Sequence, residues 1–157
     1  MNFEIFELDS KITAGIQAMG YTEPTPIQLE AIPPILDGND LMGLAQTGTG
    51  KTAAFVLPIL HRLVQSPRKS SVRVLIISPT RELTEQTHLA IGKLGKKTKL
   101  RSASIYGGMS MQPQINALKG ADIVAACPGR LLDHINRGNV KLSEVEVLVL
   151  DEADQMF

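Results

Sequence analysis

The chain has 157 residues, and Lys+Arg and Asp+Glu both number 16, which excludes a protein that grips polyanions through bulk positive charge but leaves local basic clusters open. One cysteine, Cys127, excludes an internal disulfide and fits a reducing compartment. The amino terminus carries Glu4, Glu7 and Asp9 where a secretory signal would be basic, and no apolar run approaches the roughly 18 residues of a membrane span, so the chain is expected to be cytoplasmic, of single-domain size and without a membrane partner.

Turn signals divide the chain into alternating helix-like and strand-like pieces, which implies an α/β fold with a mostly parallel sheet flanked by helices on both faces. Helices are expected near 10–19 and 26–36. The second opens with Thr25-Pro26-Ile27-Gln28, a capping box with Pro26 at the first helical position and Gln28 reaching back to the Thr25 N–H. A strand at 40–44 then leads into AQTGTGKT at 45–52 and a helix over 51–65, in which Pro58 is expected to make a kink or a break. Strand, glycine-rich loop and helix are the required context for a phosphate-binding loop. Gly48 and Gly50 let the backbone turn its N–H groups around a phosphate, Lys51 brings a point charge to the β- and γ-phosphates, and the Thr52 hydroxyl suits Mg²⁺. Ala45 stands where the general pattern has its first glycine, and is tolerable there if its φ is not positive.

The polar stretch QSPRKSS at 65–71 reads as a loop. After it come a strand at 73–78, PTREL at 79–83 with Thr80 as N-cap of a helix over 81–96, a strand at 102–106, Gly107-Gly108, a helix at 111–119, a strand at 122–126, CPGR at 127–130 and a helix at 130–136. The last strand, 146–150, runs into Asp151, Glu152 and Asp154 at its carboxyl end. An NTPase of this kind needs one acid there to hold Mg²⁺ and another to orient or deprotonate water, roles that suit Asp151 and Glu152. His61, His88 and His134 lack metal-ligand spacing and read as surface residues.

This series of motifs resembles the first RecA-like domain of DEAD-box ATP-dependent RNA helicases, a P-loop NTPase fold, along nearly the whole chain. The matching segments are Phe3 as an isolated upstream aromatic, GYTEPTPIQ at 20–28, AQTGTGKT, PTREL, the glycine pair, CPGR and DEAD at 151–154. The resemblance implies that ATP is held by Phe3, Tyr21, Gln28, Ala45, Gln46, Thr47, Gly48, Thr49, Gly50, Lys51 and Thr52, with Tyr21 packed on the adenine and Gln28 bonded to its edge. It implies that Thr52 and Asp151 hold Mg²⁺, and that Lys51, Asp151 and Glu152 are catalytic. RNA would lie along Pro79, Thr80, Arg81, Gly108, Gly129 and Arg130 through backbone contacts that carry no sequence information. Two positions depart from the family's pattern: Cys127 stands where threonine is usual, and Thr84 where alanine is, the latter with little consequence expected.

The family's later Ser-Ala-Thr motif and its second, carboxy-terminal RecA-like domain are absent from the sequence, so the chain reads as a truncated first domain in which residues 1–28 precede the P-loop core. The parent would be an RNA-stimulated ATPase and helicase, and the isolated chain would be nearly inactive. An adenine-nucleotide-binding module without turnover is the alternative; an unrelated P-loop ATPase would not require Gln28 to select adenine. Glutamate caps as well as glutamine at the third helical position, so Gln28→Glu is expected to keep stability while losing adenine recognition.

Overall fold

A computed structural model describes all of residues 1–157. The chain forms two compact units, one made of Met1–Pro67 and Ala90–Lys99, the other of Arg68–Leu89 and Leu100–Phe157.

In the first unit, a single helical turn at Phe3–Phe6 leads to helices α1 (Ser10–Ala18), α2 (Pro26–Leu36) and α3 (Lys51–Val64), joined by the last turns of α4 (Arg81–Leu94). Helix α1 is capped by the Asp9 carboxylate, which accepts from the Lys11 N–H at 2.9 Å, while the Asp9 N–H donates to His61 Nδ1 on α3 at 2.9 Å. Gly15 in α1 meets the backbone of α4 so closely that a Cβ would run into the Leu94 carbonyl oxygen. Helix α3 buries Ala53, Ala54, Val56, Leu57, Ile59, Leu60 and Leu63 and packs against α2. It also runs unbroken through Pro58, so the helix is not split there. The proline forfeits one backbone bond, a cost of about 3 kcal/mol, and the buried surface around it outweighs that loss.

The strand expected at 40–44 does not form: these residues are irregular, with Met42 89% and Leu44 92% exposed. Composition makes a segment a candidate strand, but only a neighbour supplying N–H and C=O partners makes it one. The sheet has four strands, and this segment is not among them.

That sheet belongs to the second unit. Strands β1 (Val74–Ile77), β2 (Ser102–Ile105), β3 (Ile123–Ala126) and β4 (Val147–Leu150) are all parallel, in the order β2-β3-β1-β4. Leu75, Ala103, Ile105, Val124 and Ala126 build a core on one face with Leu118 of α5 (Met111–Leu118) and Leu131 of α6 (Pro128–Asn136). Val74, Ile76, Ile123 and Ala125 on the opposite face are fully buried too, as the apolar runs of a doubly covered parallel sheet require.

Charges stitch the amino-terminal edge of this sheet. Arg73, 1% exposed, donates from Nε and Nη2 to the Glu146 carboxylate at 3.1 and 3.2 Å, tying the start of β1 to that of β4. Asp122, before β3, accepts from Arg68 Nε at 3.1 Å and from the Arg101 N–H before β2 at 2.8 Å. No helix is long and apolar enough to cross a membrane. Removing one partner of a buried ion pair strands the other charge, so Glu146→Ala is expected to destabilise the second unit by about 3 kcal/mol. Urea unfolding followed by circular dichroism measures it, and a loss near that of an exposed pair, below about 1 kcal/mol, contradicts it.

Candidate functional site

In the first unit, AQTGTGKT folds as a turn that opens α3 directly. Gly48 and Gly50 both take φ of +84°, the left-handed region closed to most side chains, and Thr49 closes the turn by donating from Oγ1 to the Gln46 carbonyl at 2.6 Å. Ala45 is not among the residues with positive φ, so alanine is tolerated there. Gly50 is the N-cap and offers no side chain, leaving α3 without the hydroxyl or carboxylate that normally covers a helix start. A polar turn with left-handed glycines before an uncovered helix start suits an anion. Lys51 and Thr52 occupy the first two helical positions, both half-buried.

Gln28 holds this loop to α2. Its Oε1 accepts from the Thr25 N–H at 2.9 Å, the reach-back of the capping box, and its Nε2 donates to the Gly50 carbonyl at 3.1 Å. A Cβ on residue 50 would lie 2.5 Å from Gln28 Nε2 and would displace the carboxamide, which adds to the cost that the φ of +84° already sets on any residue but glycine. The carboxamide, 3% exposed, keeps one N–H and one lone pair beyond these two bonds. Tyr21 is 39% exposed and stacks on Phe3, centroids 6.4 Å apart and planes 26° apart. Phe3 is itself buried, so it backs the tyrosine and Tyr21 alone offers a ring surface.

In the second unit, the pairings Ile77 with Ala126, Ile105 with Ala126, and Ile77 with Leu150 bring all four strands to the same level at their carboxyl ends. The segments that leave this edge are Pro79–Arg81, Tyr106–Gly108, Cys127–Arg130 and Asp151–Asp154. Thr80 caps α4 by accepting from the Leu83 N–H at 3.2 Å. The Arg81 guanidinium lies over the Tyr106 ring at 5.1 Å, and the Tyr106 hydroxyl donates to Glu85 Oε1 at 3.1 Å. Burial and then the bond to Glu85 raise the Tyr106 pKa, so its hydroxyl stays a donor. On the other side of the same turn, Arg130 Nη1 donates to the Met109 carbonyl at 2.9 Å. The Gly107–Met109 turn, with Gly108 at φ +81°, is thus flanked by two arginines. Thr80, Arg81, Gly108 and Gly129 are exposed, and Pro79 and Arg130 are half-buried. Asp151 is 3% exposed; Glu152 takes φ +52°, a conformation costing a side-chain-bearing residue about 1 kcal/mol that turns the chain sharply after β4.

The two departures from the family's pattern meet each other. Thr84, fully buried in α4, donates from Oγ1 to the Thr80 carbonyl at 2.9 Å and stands 3.3 Å from Cys127 Sγ. With the hydroxyl proton committed to Thr80, the thiol is the donor between them, so Thr84 does have a consequence: it gives Cys127 a partner. The expectation that the histidines are surface residues is also corrected. His134 is 0% exposed and bonded through both ring nitrogens, and His88 Nδ1 lies 2.9 Å from Ser102 Oγ. Sequence reasoning also missed Tyr106 and Gln114, although Tyr106 directly precedes the glycine pair.

The bond from Gln28 to Gly50 revises the expected effect of Gln28→Glu. A carboxylate keeps the Thr25 contact but sets an oxygen against the Gly50 carbonyl, so the variant is expected to lose about 1 to 3 kcal/mol instead of holding its stability. Thermal melting of the nucleotide-free chain measures this, and an unchanged midpoint contradicts it.

Residues 25–157 match the family model described as DEAD/DEAH box helicase. The chain is 50% identical over 156 residues to the ATP-dependent RNA helicase CshA of Listeria monocytogenes and 47% identical to the DEAD-box ATP-dependent RNA helicase CshA of Bacillus cereus, covering 99% of this chain and 30% and 29% of those proteins. It therefore spans about three-tenths of the length of these relatives. Among solved structures, a DEAD box protein from Methanococcus jannaschii matches with a TM-score of 0.92 and 41% identity over 99% of this chain and 42% of its own. A hypothetical ATP-dependent RNA helicase from Sulfolobus tokodaii matches at 0.87 and 41%, over 96% of this chain and 43% of its own. Motifs, parallel sheet and these matches agree: the chain belongs to the DEAD/DEAH box helicase family.

Proposed function

We propose that this chain is the nucleotide-binding part, and a share of the RNA-binding surface, of an ATP-dependent RNA helicase whose hydrolysis is stimulated by RNA. The observation that carries the reading is the level carboxyl edge of the sheet, where Thr80, Arg81, Gly108, Gly129 and Arg130 gather beside the acidic pair Asp151 and Glu152. Parallel sheets bind ligands at that edge.

Each residue has a chemical task. Tyr21 offers a flat face to adenine, and the remaining N–H and lone pair of Gln28 suit N7 and the N6 amino group, a pairing guanine cannot match. Gln46, Thr47, Gly48, Thr49 and Gly50 wrap phosphate with Lys51 as the point charge. Mg²⁺ takes one or two carboxylates and keeps its remaining positions for water and phosphate, and the Thr52 hydroxyl and the Asp151 carboxylate are each an oxygen donor of the type it takes. The metal would neutralise charge developing on the transferred phosphoryl group. Glu152 orients the attacking water and takes its proton. The exposed threonine, arginines and glycines hold the RNA backbone, which positions a strand without reading it. The partner that completes the catalytic charges is a second, carboxy-terminal RecA-like domain in the remaining length of the protein, and the compartment is the cytoplasm.

Steady-state ATP hydrolysis by this chain, and by a form extended to the length of its relatives, tests the reading. The chain alone is expected to bind ADP in preference to GDP yet show negligible RNA stimulation, because a missing arginine finger costs on the order of 10³ to 10⁵ in rate. In the extended form, Glu152→Gln is expected to retain ATP affinity while losing at least about 10²-fold in turnover. Strong RNA stimulation of the chain alone contradicts the division of labour; equal losses of affinity in Glu152→Gln and Asp151→Asn contradict the assigned roles.

A further inference from the structure

The anchoring of Arg130 goes further than a single bond. Its Nη1 donates to the Met109 carbonyl at 2.9 Å and to Gln114 Oε1 at 3.2 Å, with Met111 Sδ at 4.0 Å. Two acceptors use both protons of that nitrogen. The orientation of Gln114 is fixed in turn, since its Nε2 donates to the Tyr106 carbonyl at 2.8 Å and therefore its Oε1 is the acceptor facing Arg130. The same Oε1 accepts from His134 Nε2 at 2.9 Å, which fills its second lone pair. This sets the tautomer of His134: Nε2 carries the proton, and Nδ1 accepts from Asn139 Nδ2 at 3.1 Å. Burial first, and then the Arg130 charge, lower the His134 pKa, with Arg137 adding and Asp133 opposing, so the ring is neutral as these bonds require.

The chain of bonds ends on a guanidinium held by one nitrogen. Arg130 still has its Nε–H and both Nη2 protons, the edge whose parallel donors match two oxygens of a phosphate. We propose that Gln114 and His134 are positioning residues for RNA binding: with the Met109 carbonyl they lock the Arg130 guanidinium through Nη1 and aim its Nε/Nη2 edge at one phosphate of the strand. The proposal rests on the RNA reading of this sheet edge. It gives Gln114 and His134, buried and outside every motif named above, a task that packing alone does not need. A locked arginine reaches its phosphate without the ordering cost of a long free side chain.

The test is a double-mutant cycle on binding of a fluorescein-labelled oligouridine to the chain, measured by anisotropy across a salt series, with thermal melting of each variant as the folding control. Arg130→Ala is expected to weaken binding and to reduce the salt slope by about one phosphate contact. Gln114→Met keeps the charge and removes the lock, so binding is expected to weaken about 3- to 10-fold, the range for ordering one long side chain, with the slope nearly retained. In the Arg130→Ala background, Gln114→Met is expected to cost nothing further. An equal cost in both backgrounds, or no cost in the parent, overturns the positioning role. An Arg130→Ala variant with unchanged affinity and slope overturns the RNA reading of this edge, and the positioning role with it. Side-chain NMR decides the matter in the unaltered chain as well: Arg130 is expected to show slowed rotation about its Nε–Cζ bond, and a freely rotating guanidinium overturns the lock whether or not any variant folds.

Discussion

The register of the parallel sheet is the constraint on which the second unit depends. Parallel strands are joined by evenly spaced slanted bonds, so level pairing along β2, β3, β1 and β4 forces four loops to leave one edge together. The opposite edge carries what fixes that level: Arg73 bound to Glu146, and Asp122 bound to Arg68 and to the backbone of Arg101. Ionic anchoring at one edge leaves the other edge for ligand chemistry. A slip of one residue would turn the core face of a strand outward and would separate Arg81, Gly108 and Arg130 from one another.

Each candidate ligand group rests on a buried or half-buried supporter. Gly50 is held by Gln28, Tyr21 by Phe3, Arg81 by Tyr106, and Arg130 by Gln114. The supporters satisfy their own polar atoms at the same time, as the carboxamides of Gln28 and Gln114 show by donating to one carbonyl while accepting elsewhere. Glutamine suits this bridging because it carries donor and acceptor on one rigid plane, which glutamate and methionine do not. Neutral overall charge is compatible with nucleic-acid contact for a related reason: a few arginines held in place act locally, where a bulk positive field would act everywhere.

Thr84 and Cys127 show how a local departure is absorbed. Each taken singly changes polarity next to a loop, but together they form one contact in which the thiol donates to a hydroxyl already bonded to the end of β1's loop at Thr80. The start of α4 and the end of β3 are joined by that contact, so neither residue is neutral with respect to the other.

The alternation of helices and strands, the caps at Thr25 and Thr80, the glycines at 48, 50 and 108 and the order of the motifs are legible in the amino-acid order alone, because these follow from local rules of backbone conformation and spacing. Tertiary structure decided what depends on a partner distant in the chain. Residues 40–44 have strand composition and no ladder, so they are not a strand; Pro58 sits among buried neighbours, so its helix continues. His134 looks like any helical histidine until Gln114 and Asn139 are brought to its two nitrogens. Gln28 looks like a helix cap until the Gly50 carbonyl, 22 residues away, accepts a hydrogen bond from its Nε2. A residue's own preferences are written within a few neighbours, whereas a hydrogen bond needs its second atom in place, and only the folded chain puts it there.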